Sequence, residues 1–311
     1  MNERFLTATS QVESLSNLNN IEFLARQIVD GFISGIHKSP YHGFSVEFAE
    51  HRIYNQGESI KHIDWKLYGR TDKLFVKKYE AETNLRCNIL IDTSSSMFYP
   101  VDKMINKAGF SALCAAAMIY LLAKQRDAVG LSLFDSKMNF NVPAKLSLSH
   151  QKTMFQCLDD LLNQKYNPSN MNETATPQIL HQISEAIPKR SLVVIFSDMF
   201  INSPQAELFN AFEHLRYNKH EVVVFHVTHK KTELFFTLEN RPYRIIDMES
   251  GDILKLNPQE FREFYCKQID LQVDELRKRC LQYQIDFVEA DIDNPFQQVL
   301  TPWFVKRGKM K

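Results

Sequence analysis

Two kinds of apolar pattern alternate along the chain. Residues 87–91, 127–134, 192–196 and 221–228 are short, nearly continuous apolar runs rich in Val, Ile and Leu. Such runs read as strands buried on both faces. Between and after them lie longer segments with apolar residues at helical spacing: 103–124, 149–162, 177–187, 205–217, 258–283 and 294–304. Ser149 and Thr176-Pro177 stand where two of these helices should begin, as caps. Further strands are expected at 243–247 and 285–289, and 137–142 either continues the strand before it or forms an edge hairpin. Strands alternating with helices imply an α/β fold with a mostly parallel sheet and right-handed crossovers.

The first 82 residues follow a different pattern. Residues 1–18 are polar, and Asn20 is placed to cap a helix over 21–36, with Ile21, Leu24, Ile28 and Phe32 on one side. The segment 38–43 breaks that helix. From 44 to 82 the pattern shortens to extended pieces, with Phe44, Val46 and Phe48 alternating and Leu74 and Val76 repeating the pattern. Opposite charges crowd here around Trp65, and Arg52, Asp64 and Arg70 are expected to pair about it. The expected organisation is an N-terminal helix plus a small β-rich region over 1–82, the sheet domain over 83–305, and a basic tail over 306–311.

Composition narrows the function. Lys plus Arg and Asp plus Glu are both 37 in 311 residues, a formal net charge of zero. That balance argues against a nucleic-acid binder driven by phosphate contacts. The five cysteines are scattered and form no Cys-x-x-Cys pair, as expected for thiols in a reducing compartment. The first residues lack the apolar run of a signal peptide, and a cytoplasmic location is expected. Residues 108–123 are uncharged and mostly apolar but shorter than the ~20 residues a bilayer requires. A central buried helix is expected there.

The candidate chemistry lies at strand ends. The run 87–91 stops on Asp92, and Ser94 and Ser96 follow at every second position. Carboxylate and hydroxyls are hard oxygen donors, suited to Mg²⁺ or Mn²⁺ rather than zinc. The same residues also suit a turn and a helix cap. Asp198 ends a second buried strand, which puts it on the same rim as Asp92 in a doubly wound sheet. Two carboxylates so placed repel unless a cation or proton intervenes. No P-loop, G-x-G-x-x-G, nucleophile elbow or His-Glu-x-x-His occurs, and the ten histidines are dispersed.

One ordered series of motifs resembles a known family. Arg52-x-Tyr54-x-x-Gly57-Glu58-x-Ile60-x-x-Ile63-Asp64-Trp65, then Arg70-Thr71, Leu74, Val76-Lys77 and Glu80, leads into a strand and Asp92-Thr-Ser94-Ser-Ser96-Met97. This pattern resembles the domain-of-unknown-function family 58, with Glu58 where Asp is commoner. The C-terminal part of that family resembles a von Willebrand factor A domain. The resemblance implies a Rossmann-like sheet carrying a metal-ion-dependent adhesion site. It further implies that Ser94, Ser96 and Thr174 touch the ion, with Asp92 and Asp198 acting directly or through water. Thr176 is the alternative to Thr174, although it also reads as a helix cap. One coordination position stays open for a carboxylate from a protein partner. Family members often occur beside AAA+ ATPases of the MoxR type, so a partner of that class is implied.

The expectation is a non-enzymatic interaction protein with a Mg²⁺-dependent site. Its rivals are a metal-dependent hydrolase such as a phosphatase, using the same rim, and a scaffold whose site holds only water.

Overall fold

The computed structural model describes residues 20–36, 50–54, 65–78, 85–103, 105–167, 174–200 and 205–308. The chain divides into two compact units, residues 37–84 and the remainder. Helix α1 (Ile21–Ile36) opens the larger unit, with Asn20 Oδ1 accepting from the Glu22 amide at 2.9 Å. Its buried residues Ile21, Leu24, Ala25, Ile28 and Val29 join the main core. The predicted helix is therefore present, but it belongs with the sheet and not with residues 37–84. The reason is its continuous apolar stripe, which needs a large apolar partner.

The smaller unit contains β1 (Glu50–Ile53), α2 (Trp65–Thr71) and β2 (Phe75–Lys78), with β1 and β2 antiparallel. Trp65 is 60% exposed and meets Tyr68 edge-on at 6.2 Å, so it is not the enclosed centre of a charged cluster. Asp64 and the Phe44–Phe48 alternation lie outside the described residues.

The larger unit continues through β3 (Arg86–Asp92), α3 (Lys107–Lys124), β4 (Ala128–Phe134), β5 (Met138–Lys145) and α4 (Leu148–Asn163). Then come α5 (Thr176–Ala186), β6 (Leu192–Ser197), α6 (Gln205–Tyr217) and β7 (Glu221–Thr228). A hairpin of β8 (Tyr243–Ile246) and β9 (Ile253–Leu256), the long helix α7 (Pro258–Gln282), β10 (Asp286–Asp291) and α8 (Phe296–Gly308) complete it. Six strands form one sheet in the order β10-β7-β6-β3-β4-β5. All neighbours are parallel except β5, which returns antiparallel along the β4 edge. The edge-hairpin reading of 137–142 is thus the correct one. Pro143 fits there because an edge strand can spare a donor. Gly130 faces it where the register skips, and a Cβ would lie 2.7 Å from the Val142 carbonyl oxygen.

Side chains of the central strands alternate between two apolar layers, as period-2 geometry requires. Ile89, Ile91, Val194, Phe196, Val223 and Phe225 face the layer of α1, α3, α4 and α8. Leu90, Val193, Ile195, Val222 and Val224 face the layer of α5, α6 and α7. Helix α3 is long and apolar enough to cross a membrane by length and composition, yet 83% of that stretch is buried within the fold. It starts at Lys107 rather than at residue 103, because Asn106 caps it by accepting from the Gly109 amide at 2.8 Å.

Candidate functional site

In this order the strands progress outward from β3 in one direction and from β6 in the other. Crevices form at the C-terminal ends of strands where the order reverses. Asp92 ends β3 and Asp198 follows β6, so both carboxylates stand at the reversal. Both are buried, at 0% and 1% exposure.

The loops there are built by short-range bonds. The Thr93 amide and hydroxyl both donate to the Phe134 carbonyl, at 2.7 and 2.9 Å, which ties the loop after β3 to the end of β4. The Ala175 amide donates to the Asp135 carbonyl at 3.0 Å and anchors the loop carrying Thr174. Met199 has a left-handed backbone (φ 54) directly after Asp198. For a residue with a Cβ that costs roughly 1–2 kcal/mol, a strain typical of constrained sites.

Around Asp92 the oxygens converge. Its Oδ1 accepts from the Ser94 amide at 2.9 Å. Its Oδ2 accepts from the Ser197 hydroxyl at 2.8 Å and the Thr174 hydroxyl at 3.2 Å. The Ser94 and Ser96 hydroxyls lie 3.2 Å apart, and those of Thr174 and Thr176 2.8 Å apart. Thr174 is thus the threonine in contact with Asp92. Thr176 is the first helical residue and not the cap, since Ala175 precedes the helix.

Asp198 has a partner that the sequence reading missed. Lys107 Nζ donates to Asp198 Oδ2 at 2.7 Å and to Glu233 Oε1 at 2.6 Å, and its side chain is fully buried. A lysine in the first turn of a helix opposes the helix dipole. That misplacement is the one signal in the sequence that a carboxylate had to meet it. Burial alone would lower the ammonium's pKa, but the carboxylates of Asp198 and Glu233 outweigh it and hold the pKa above its ordinary value.

Glu249 is the second residue the sequence reading missed. It lies in the β8–β9 turn, with its carboxylate against the Ser96 hydroxyl and in the field of Asp198 and Asp92. Its Oε1 is buried and has no hydrogen-bond partner. Burial, then Asp198 and Asp92, push its carboxyl up to about 7. Burial and Asp198 likewise push Asp92 up to about 6. Nothing in the sequence links a turn at 247–252 to a strand end more than 150 residues earlier. Ser197 was likewise legible only as a strand end.

This donor set suits a hard divalent cation. Among the described residues the side chains that bond Asp92 do so through hydroxyl oxygens, burial and neighbouring carboxylates raise the Asp92 and Glu249 carboxyls, and one carboxylate oxygen is orphaned. Among the described residues no three His, Cys, Asp or Glu side chains converge closely enough to hold an ion on their own. The hydroxyls of Ser94, Ser96 and Thr174 would have to complete the set.

The topology defines an open, doubly wound α/β protein with one antiparallel edge strand. The chain belongs to the family described as "Protein of unknown function DUF58", whose model matches residues 50–274. Uncharacterized proteins of Mycobacterium bovis and Mycobacterium tuberculosis are 26% identical to it over 141 residues. Those matches cover 45% of this chain and 44% of each relative, so the similarity spans under half the length of these curated proteins. Among solved structures, the conserved hypothetical protein BatB from Bacteroides thetaiotaomicron superposes with a TM-score of 0.43 at 14% identity. That superposition covers 72% of this chain and 99% of BatB. The SpRpn10 VWA domain gives a TM-score of 0.34 at 14% identity, over 46% of this chain and 75% of that domain.

Proposed function

We propose that this protein is a non-enzymatic interaction module that binds a protein partner through a Mg²⁺-dependent site, with Mn²⁺ as a substitute. Ser94, Ser96 and Thr174 would hold the ion through their hydroxyls, with Asp92 and Asp198 acting directly or through water. The observation that carries this reading is the charge imbalance at the rim. Among the described residues Asp92, Asp198, Glu233 and Glu249 gather there with one fully buried ammonium, Lys107, which donates only to Asp198 and Glu233. A bound divalent ion supplies the missing charge and one electrophilic position that a carboxylate can fill. Ser197 and Thr174 orient Asp92, and Lys107 holds Asp198. The partner would contribute an Asp or Glu side chain. A MoxR-type AAA+ ATPase is the partner class implied by the family resemblance. A cytoplasmic setting agrees with Cys87, Cys114 and Cys280, which are buried free thiols. The test is a pull-down from the native lysate with Mg²⁺ and with EDTA, using wild type and Asp92→Asn. A partner retained equally in all arms would sink the proposal.

One observation favours a second reading, a metal-dependent phosphatase. An ammonium beside a carboxylate at the end of a strand is a phosphate-binding element in many enzymes. Here, however, Lys107 donates to two carboxylates and is 0% exposed, which leaves it poorly placed to meet a substrate. A phosphomonoester panel with Mg²⁺ or Mn²⁺ separates the readings, because turnover lost in both Lys107→Met and Asp92→Asn would establish the enzyme.

A further inference from the structure

The β8–β9 hairpin brings a carboxylate of this chain to the candidate ion site. Its tip is held in shape locally. Asp247 Oδ1 accepts from the amides of Glu249 at 2.8 Å and Ser250 at 3.3 Å, and Gly251, with φ 77, closes the turn. The tip is also fastened to the body. Met248 packs against the main core, and its carbonyl accepts from the Tyr166 hydroxyl at 3.5 Å. Between these anchors the Glu249 carboxylate meets the Ser96 hydroxyl and buries Oε1 without a partner. A buried carboxylate oxygen with no donor costs free energy, and a conformation that keeps it there needs a compensating group. The buried ammonium of the cluster, Lys107, is already shared by Asp198 and Glu233. The missing group is a cation.

We propose that Glu249 is an internal ligand. It takes the open position of the ion held by Ser94, Ser96 and Thr174, and a partner's carboxylate must displace it to bind. The inference rests on the Mg²⁺-site reading above. The structure favours a displaceable cap over a permanent ligand. A two-stranded hairpin is marginal on its own, and most residues of β8 and β9 are exposed or half-buried. The hairpin can therefore leave the rim without unfolding the sheet.

The test uses the full chain and Mn²⁺, with water-proton relaxation as the readout. Wild type, Glu249→Gln, Glu249→Asp and Asp92→Asn are titrated in parallel, and each fold is checked by circular dichroism. Losing an internal ligand should weaken Mn²⁺ binding by about tenfold or more in Glu249→Gln and Glu249→Asp. Each bound ion should relax water more strongly, because water enters the vacated position. Acetate should suppress that added relaxation in the two Glu249 variants at concentrations that leave wild type unchanged. If both Glu249 variants match wild type in affinity and relaxation while Asp92→Asn has lost binding, the internal ligand is refuted and the ion site stands. If wild type binds no Mn²⁺, the ion site and the internal ligand fall together.

Discussion

Two charged clusters sit side by side at the same rim and share elements, yet their carboxylates are in opposite states. Lys103 and Lys107 flank the start of α3, and Lys231 and Glu233 share the π-helical segment Lys230–Leu234 after β7. In one cluster, Asp293 lies 2.7 Å from Lys103 Nζ, 3.0 Å from Lys231 Nζ and 3.4 Å from His229 Nε2. Burial would raise its pKa, but the hydrogen bonds and charges of Lys103 and Lys231 outweigh it and bring the carboxyl to about 2. In the other, Asp92 accepts only neutral donors, and burial with Asp198 takes it to about 6. The Asp293 cluster finds its counter-charge within the chain. The Asp92 cluster is left short, and that deficit is what makes it a candidate for an external ion.

The largest expected effect tests the one internal cation of the deficient cluster. Lys107→Met strands Asp198 and Glu233 in a buried place and should cost ~3–5 kcal/mol, read as a lower urea midpoint. Adding Asp198→Asn should recover part of that loss. A single-variant loss below ~1 kcal/mol would mean that Asp198 is neutralised by something other than Lys107.

Next comes the pH dependence without metal. The Asp92 carboxyl rises from 3.8 to about 6 on folding, so the folded chain holds its proton more tightly than the unfolded chain. Stability from this group therefore falls as pH rises through that window. Asp92→Asn should melt above wild type at pH 7 in EDTA, with the gap closing toward pH 4. Ser197 and Thr174 can turn their hydroxyls to accept from the new amide, so the fold should persist. A gap independent of pH would show that Asp92 ionisation is not what strains the site.

Magnesium is expected to act more gently. For a Kd near 1 mM, 5 mM Mg²⁺ should stabilise wild type by about 1 kcal/mol, a rise of roughly 2–4 °C in Tm. Asp92→Asn and the double variant Ser94→Ala/Ser96→Ala should show no such rise. An equal rise in Asp92→Asn would move the ion elsewhere.

The smallest effect belongs to the balanced cluster. Asp293→Asn should cost no more than ~1 kcal/mol near pH 7, as for partly exposed pairs. The sign is opposite to that of Asp92: its contribution is present above pH 3.8 and is lost as pH falls toward about 2. Calcium or magnesium should not alter it.

The sequence by itself determined the architecture, because the patterns that encode it are local. The apolar runs of β3, β6 and β7, the stripes of α1 and α6, and the caps state period and burial within a few residues. The same locality made Asp92, Ser94, Ser96 and Asp198 legible, since each sits at a fixed offset from a strand end. Thr174 came from the family resemblance, and the fold alone brought its hydroxyl to Asp92 Oδ2. Short elements escape such patterns: α2 falls in a stretch expected to be extended and β9 has no expected counterpart, because seven and four residues carry too little periodicity. Only the tertiary structure decided the charge state of the rim. Coulomb energies depend on distance in space and on local burial, and Lys107, Glu233 and Glu249 reach the site from segments that the sequence leaves unconnected.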